Sequence, residues 1–114
     1  MPVQTYHTAA VEIIAPGVTR RLVYTPHLMT VIIDFANGPQ TEPNPMHAHP
    51  HEQTCYVAAG EVLFFLEGEE PARLQAGDVF YVPSNQKHSI QLLTESVRLV
   101  DSFTPIREDF LPKF

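Results

Sequence analysis

The alternation of apolar and polar side chains is clearest near the C-terminus. Val97, Leu99, Asp101 and Phe103 fall on one face of an extended segment, with Arg98, Val100 and Ser102 on the other. The same period of two, cut every few residues by proline or glycine, runs through most of the chain. It predicts strands at Val11–Ile14, Arg20–Tyr24, Leu28–Phe35, Gln53–Ala59, Glu61–Leu66, Ala72–Leu74, Val79–Val82, His88–Leu93 and Val97–Phe103. Turns fall at Pro16-Gly17, Asn37-Gly38-Pro39, Gly60, Gly68, Ala76-Gly77-Asp78 and Pro83-Ser84-Asn85. Residues 41–50 carry Pro43, Pro45 and Pro50, which no helix tolerates at that spacing, and read as a loop. No segment holds a helical period long enough to form a helix. Short strands between turn signals predict an all-β sandwich or barrel.

One residue is out of place in this pattern. Asp101 shares its face with two aliphatic side chains and an aromatic one, and a carboxylate there costs free energy unless something pairs with it. Two readings are open: a functional carboxyl, or a structural ion pair with Arg98 or Arg107.

Length and composition narrow the function. A chain of 114 residues supports one core, so a single domain over 1–114 is expected. The hydrophobic fraction of 44% argues against disorder. A net charge of -6, with seven scattered Lys and Arg, argues against a nucleic-acid partner. No apolar run approaches the roughly 20 residues of a membrane span, and the N-terminus lacks a charged-then-apolar leader. Cys55 is the single cysteine, which excludes an internal disulfide and makes the cytoplasm the expected location.

Candidate chemistry sits in the histidines. Four of the six are His47, His49, His51 and His88. Imidazoles two apart on extended chain point the same way, so His47 and His49 can grip one ion, with Gln53 in reach. His51 follows Pro50 and reads as a rim neighbour of the ligands, whereas His7 and His27 read as surface.

These residues resemble the cupin superfamily. Its first motif, G-x5-H-x-H-x3–4-E-x6-G, is met by His47, His49, Gln53 and Gly60, with Gln53 in place of Glu and Thr41 in place of the leading Gly. The second, G-x5-P-x-G-x2-H-x3-N, is met by Gly77, Pro83 and His88, with Asn85 for the second Gly and Leu92 for the Asn. Across residues 41–92 the likeness implies a double-stranded β-helix, the cupin jelly-roll barrel. Residues 5–35 would be an N-terminal strand segment and 97–114 a C-terminal strand and tail. It also implies a divalent transition metal ion (Ni, Zn, Fe or Mn) held by His47, His49, Gln53 and His88. Neutral imidazoles and an amide leave the ion's charge uncancelled, so such a site favours an anionic ligand.

The segment Val100–Leu111, with Gly17–Arg21 and Tyr56–Gly60, is similar to the KdgF-type cupins of pectin degradation. That likeness implies conversion of 4,5-unsaturated monouronates to linear 4-deoxy-5-keto uronates. The family's pattern D-x-F-x3-R falls on Asp101, Phe103 and Arg107. Asp101 would be the acid/base, Arg107 the carboxylate anchor and Phe103 an apolar wall for the sugar. Plain alternatives stand beside these: Arg107 as a surface residue, Phe103 as core, Cys55 as an inert buried thiol or a cavity residue, and Tyr81 as either packing or lining. Two other functions also fit the scaffold, a metal-dependent dioxygenase and a non-enzymatic small-ligand or sugar-binding protein. Small cupins pair through their N-terminal strands, so a homodimer is expected.

Overall fold

A computed structural model describes residues 2–111, so residues 112–114 of the expected C-terminal tail lie outside it. The strands are β1 (Glu12–Ala15), β2 (Val18–Tyr24), β3 (Met29–Phe35), β4 (Glu52–Ala59), β5 (Glu61–Leu66), β6 (Ala72–Gln75), β7 (Val79–Val82), β8 (His88–Leu92) and β9 (Val97–Thr104). The alternation therefore located each strand, with ends displaced by up to two residues. A 3-10 turn at Glu108–Phe110 was not expected, because three residues leave no period to read.

Six strands form one antiparallel sheet in the order β1-β2-β3-β9-β4-β7, and three form a second in the order β6-β5-β8. From β4 onward the chain passes repeatedly between the sheets, which is the winding of a jelly roll. Gly60 makes the first of these crossings at φ +81°, where a Cβ would run into the Ser96 carbonyl and the Val97 side chain. No other residue type suits both demands.

Period-two burial is sharp on β9, whose Val97, Leu99, Asp101 and Phe103 are all buried. Cys55, Val57, Val62, Phe64, Phe80, Val82, Leu92, Val97 and Leu99 form one core cluster. Phe64 and Phe80 stack within it at 4.0 Å between centroids. Each buried Val or Leu contributes on the order of 1.5–3 kcal/mol against its exposed state. A second cluster of Met29, Val31 and Phe103 takes in Ile106, Phe110 and Leu111 from the segment after β9.

The proline-rich connection between β3 and β4 behaves as an interrupted strand. Gln40 N–H donates to Leu92 O (2.9 Å), Asn44 N–H to Ile90 O (3.0 Å) and His47 N–H to His88 O (3.0 Å), so the segment runs antiparallel alongside β8. Pro43 and Pro45 have no amide hydrogen to give, and the ladder between those contacts stays broken. This strap delivers His47 to His88.

Candidate metal centre

His47 and His88 exchange both backbone hydrogen bonds in one antiparallel bridge, which sets their rings 4.3 Å apart between centroids. His49 brings its ring to 4.8 Å from that of His88 and 5.9 Å from that of His47. One ring nitrogen from each of the three lies within 4.8 Å of the others, so together they could hold one metal ion. His49 and His88 are buried, and His47 is exposed at the rim.

The tautomers follow from the backbone. His49 Nδ1 donates to His51 O (3.0 Å) and His88 Nδ1 to Gln86 O (2.9 Å), which leaves Nε2 of both rings as a lone pair. Burial, first of all, holds both histidines below the ordinary imidazole range, and the Arg107 charge adds to it. Both rings could thus serve as neutral ligands at neutral pH.

Gln53 is oriented by Asp101. Its Nε2 donates to Asp101 Oδ1 at 2.9 Å, so its Oε1 faces His49 Nε2 at 3.2 Å. Two lone-pair atoms then confront each other across a gap with no proton between them. A cation bound between them would turn that opposition into ligation, so the donor set fits a divalent metal better than it fits bare packing.

Asp101 is 4% exposed. Burial pushes its carboxyl above the usual carboxylate range, while the Cys55 thiol, the Gln53 amide and the Arg107 charge pull in the opposite direction. It makes no ion pair among the described residues. Arg98, on the opposite face of β9, binds Asp34 at 2.6 Å, and Arg107 binds Asp109. The structural ion-pair reading of Asp101 is therefore overturned: strand parity turns Arg98 away, and a nearer carboxylate occupies Arg107.

A cavity of about 240 Å³ is bordered by His47, Gln53, His88, Asp101, Phe103 and Arg107, with Phe80, Leu99, Ile33 and Phe35 among its apolar walls. His49 packs edge-on against Phe103 at 5.9 Å, so all seven residues singled out from sequence are drawn to one place. Phe103 is both core and wall. The Arg107 guanidinium lies 5.2 Å from the Phe103 centroid and 4.2 Å from that of Phe110.

The remaining residues sort cleanly. Cys55 belongs to the core beneath Asp101, and burial raises its thiol far above the normal range. Tyr81 projects from the outer face of the large sheet and is 69% exposed. His7 and His27 are exposed. His51 accepts from His49 through its carbonyl and leaves its own buried Nδ1 without a partner among the described residues. Sequence reading missed Phe110 and Asp109; the run Arg107-Glu108-Asp109-Phe110 held the signal, beyond the last strand where alternation carries no information.

Residues 33–103 match the cupin domain family. The pectin degradation protein KdgF of Dickeya dadantii (strain 3937) is 36% identical over 102 residues, covering 88% of this chain and 89% of that protein. Among solved structures, KdgF from Halomonas sp. superposes with a TM-score of 0.83 at 32% identity, covering 94% of this chain and 97% of that one. An RmlC-like cupin from Shewanella frigidimarina NCIMB 400 gives 0.84 at 34% identity, covering 95% and 94%.

Proposed function

The chain belongs to the cupin domain family, and from that premise we propose that it is a single-domain, metal-dependent enzyme converting 4,5-unsaturated monouronates to linear 4-deoxy-5-keto uronates. One observation carries the reading. A single cavity joins a cluster of histidines able to hold a metal to a buried carboxyl, an aromatic wall and an arginine.

His47, His49, His88 and the Gln53 Oε1 would hold a divalent transition ion. When bound, that ion supplies Lewis acidity to a substrate oxygen. The protein's own groups do the rest. Arg107 offers a fork of donors to the uronate carboxylate, and Phe103 gives the sugar ring an apolar face. Phe80, Leu99 and Ile33 give the cavity apolar walls, which lower the local dielectric and strengthen polar contacts inside.

Asp101 moves the proton. Ring opening breaks the C1–O5 bond, turns C1 into an aldehyde and leaves an enol at C5; the enol becomes a ketone as C4 gains a proton. The net change is one proton lost from O1 and one gained at C4, so no co-reactant is needed. A carboxyl whose pKa is raised by burial is suited to receive the first and give the second.

The same reading sets the protein in the cytoplasm as a homodimer. A lone, buried cysteine supports the first, and no helix among the described residues is long and apolar enough to cross a membrane. Exposed Tyr56, Val79 and Tyr81 on the outer face of the large sheet, and Ile13 on the edge strand β1, support the second.

The test is the loss of the ultraviolet absorbance of the conjugated C4=C5 carboxylate in an unsaturated monouronate. Metal-loaded protein should accelerate it; an unchanged rate would refute the enzyme reading and leave ligand binding.

A further inference from the structure

Arg107 is not free to wander in its cavity. Its Nε donates to Asp109 Oδ1 at 3.0 Å and its Nη2 to Asp109 Oδ2 at 2.8 Å, a bidentate pair. The guanidinium also lies over the Phe110 ring, which the Arg20 guanidinium approaches as well, at 3.9 Å. Arg20 is itself tied to Glu12 on β1 at 3.1 Å. Asp109 and Phe110 sit in the 3-10 turn Glu108–Phe110, closed by Phe110 N–H donating to Arg107 O at 2.9 Å. Arg107 borders the cavity and Asp109 does not.

A guanidinium has five N–H donors, and Asp109 takes two of them along the Nε–Nη2 edge. The Nη1–Nη2 end remains, with no other hydrogen-bond partner among the described residues. That end is a planar fork matched to a second carboxylate. We propose that Asp109 is a positioning residue: by holding the side of the Arg107 guanidinium, it presents the end of the guanidinium to the substrate carboxylate. The proposal rests on the uronate reading above.

Two effects oppose each other when Asp109 is present. Its negative charge repels an incoming carboxylate, but its side chain is 58% exposed, so water and salt screen the repulsion. Against that, an arginine released from its partner regains rotamer freedom that substrate must remove again on binding. The second effect dominates, so losing Asp109 weakens substrate binding.

The experiment uses metal-loaded protein and the variant Asp109→Asn, which keeps shape and removes the charged half of the pair. KM for the unsaturated monouronate should rise about five- to tenfold while kcat stays within about twofold, the split expected when only binding is lost. Asp109→Glu should recover most of the change. In an Arg107→Ala background the same substitution should shift KM by less than about twofold, because nothing is left to position. Binding of D-glucuronate, followed by calorimetry, should weaken by the same factor without any turnover. A KM and a glucuronate affinity that are unchanged or improved in Asp109→Asn overturn the proposal, and so does an equal effect with and without Arg107. Loss of melting temperature without loss of affinity also overturns it, since that marks a purely structural pair. If wild type binds glucuronate but leaves the unsaturated sugar untouched, the enzyme reading fails and the affinity ratio still decides the role of Asp109. If wild type binds no uronate, both fall.

Discussion

Gln53 joins the histidine cluster to Asp101 through the two ends of one amide. Its oxygen faces the imidazole cluster and its nitrogen donates to Asp101, so a glutamate there would set two carboxylates against each other. The Asp101 carboxyl and the ligand set are thus separable by substitution. His49→Ala should lose the metal, read by elemental analysis. Asp101→Asn should retain metal and lose about 10²–10⁴-fold in turnover; metal-replete Asn variant with full activity would refute the proton role. The imidazoles also set a pH dependence. Burial holds His49 and His88 below the ordinary imidazole range in the folded chain, so the unfolded chain takes up protons that the folded chain refuses as pH falls through that range. Their contribution to the stability of metal-free protein is complete above about pH 6.5 and is lost below it. Denaturant unfolding at neutral and mildly acidic pH should show that loss, and His49→Asn should diminish it. Spacing made the histidines legible, but only cross-strand register revealed what Asp101 touches, because Gln53 is 48 residues away in sequence.

At the level of the element, the strap alongside β8 and the charge node on the large sheet matter most. The strap owes its position to three separated backbone contacts, and its prolines disguised it as plain loop. The node is centred on Asp34 of β3, which binds Arg21 of β2 at 3.4 Å and Arg98 of β9 at 2.6 Å. Tyr6 donates to the same carboxylate at 2.7 Å, and both guanidiniums lie over its ring, so the N-terminal arm is fastened to the sheet there. Asp34→Ala leaves three donors without their acceptor and should cost about 1.5–3 kcal/mol, measured by chemical denaturation. A change under about 0.5 kcal/mol would show the node to be an ordinary surface cluster. None of this was readable from sequence, where Arg98 could be assigned only to its own strand.

For the whole molecule, the outer face of the large sheet and the edge of β1 present apolar side chains to solvent, with Ile13 79% exposed. An open edge of this kind is covered in most native proteins. Sedimentation should report twice the 12.8 kDa chain mass, and Tyr81→Glu should shift it towards monomer; a wild-type monomer at working concentration would contradict the pairing. The sequence by itself determined the strands, the buried parity of Asp101 and the histidine spacing, because these depend on local periodicity and on where proline and glycine stop it. Only the tertiary structure decided that Arg98 serves Asp34, that Asp109 holds Arg107, and that Phe110 lines the cavity. Those partners are chosen by register and by the path of the chain after its last strand, both set by contacts between residues far apart, which no local pattern encodes.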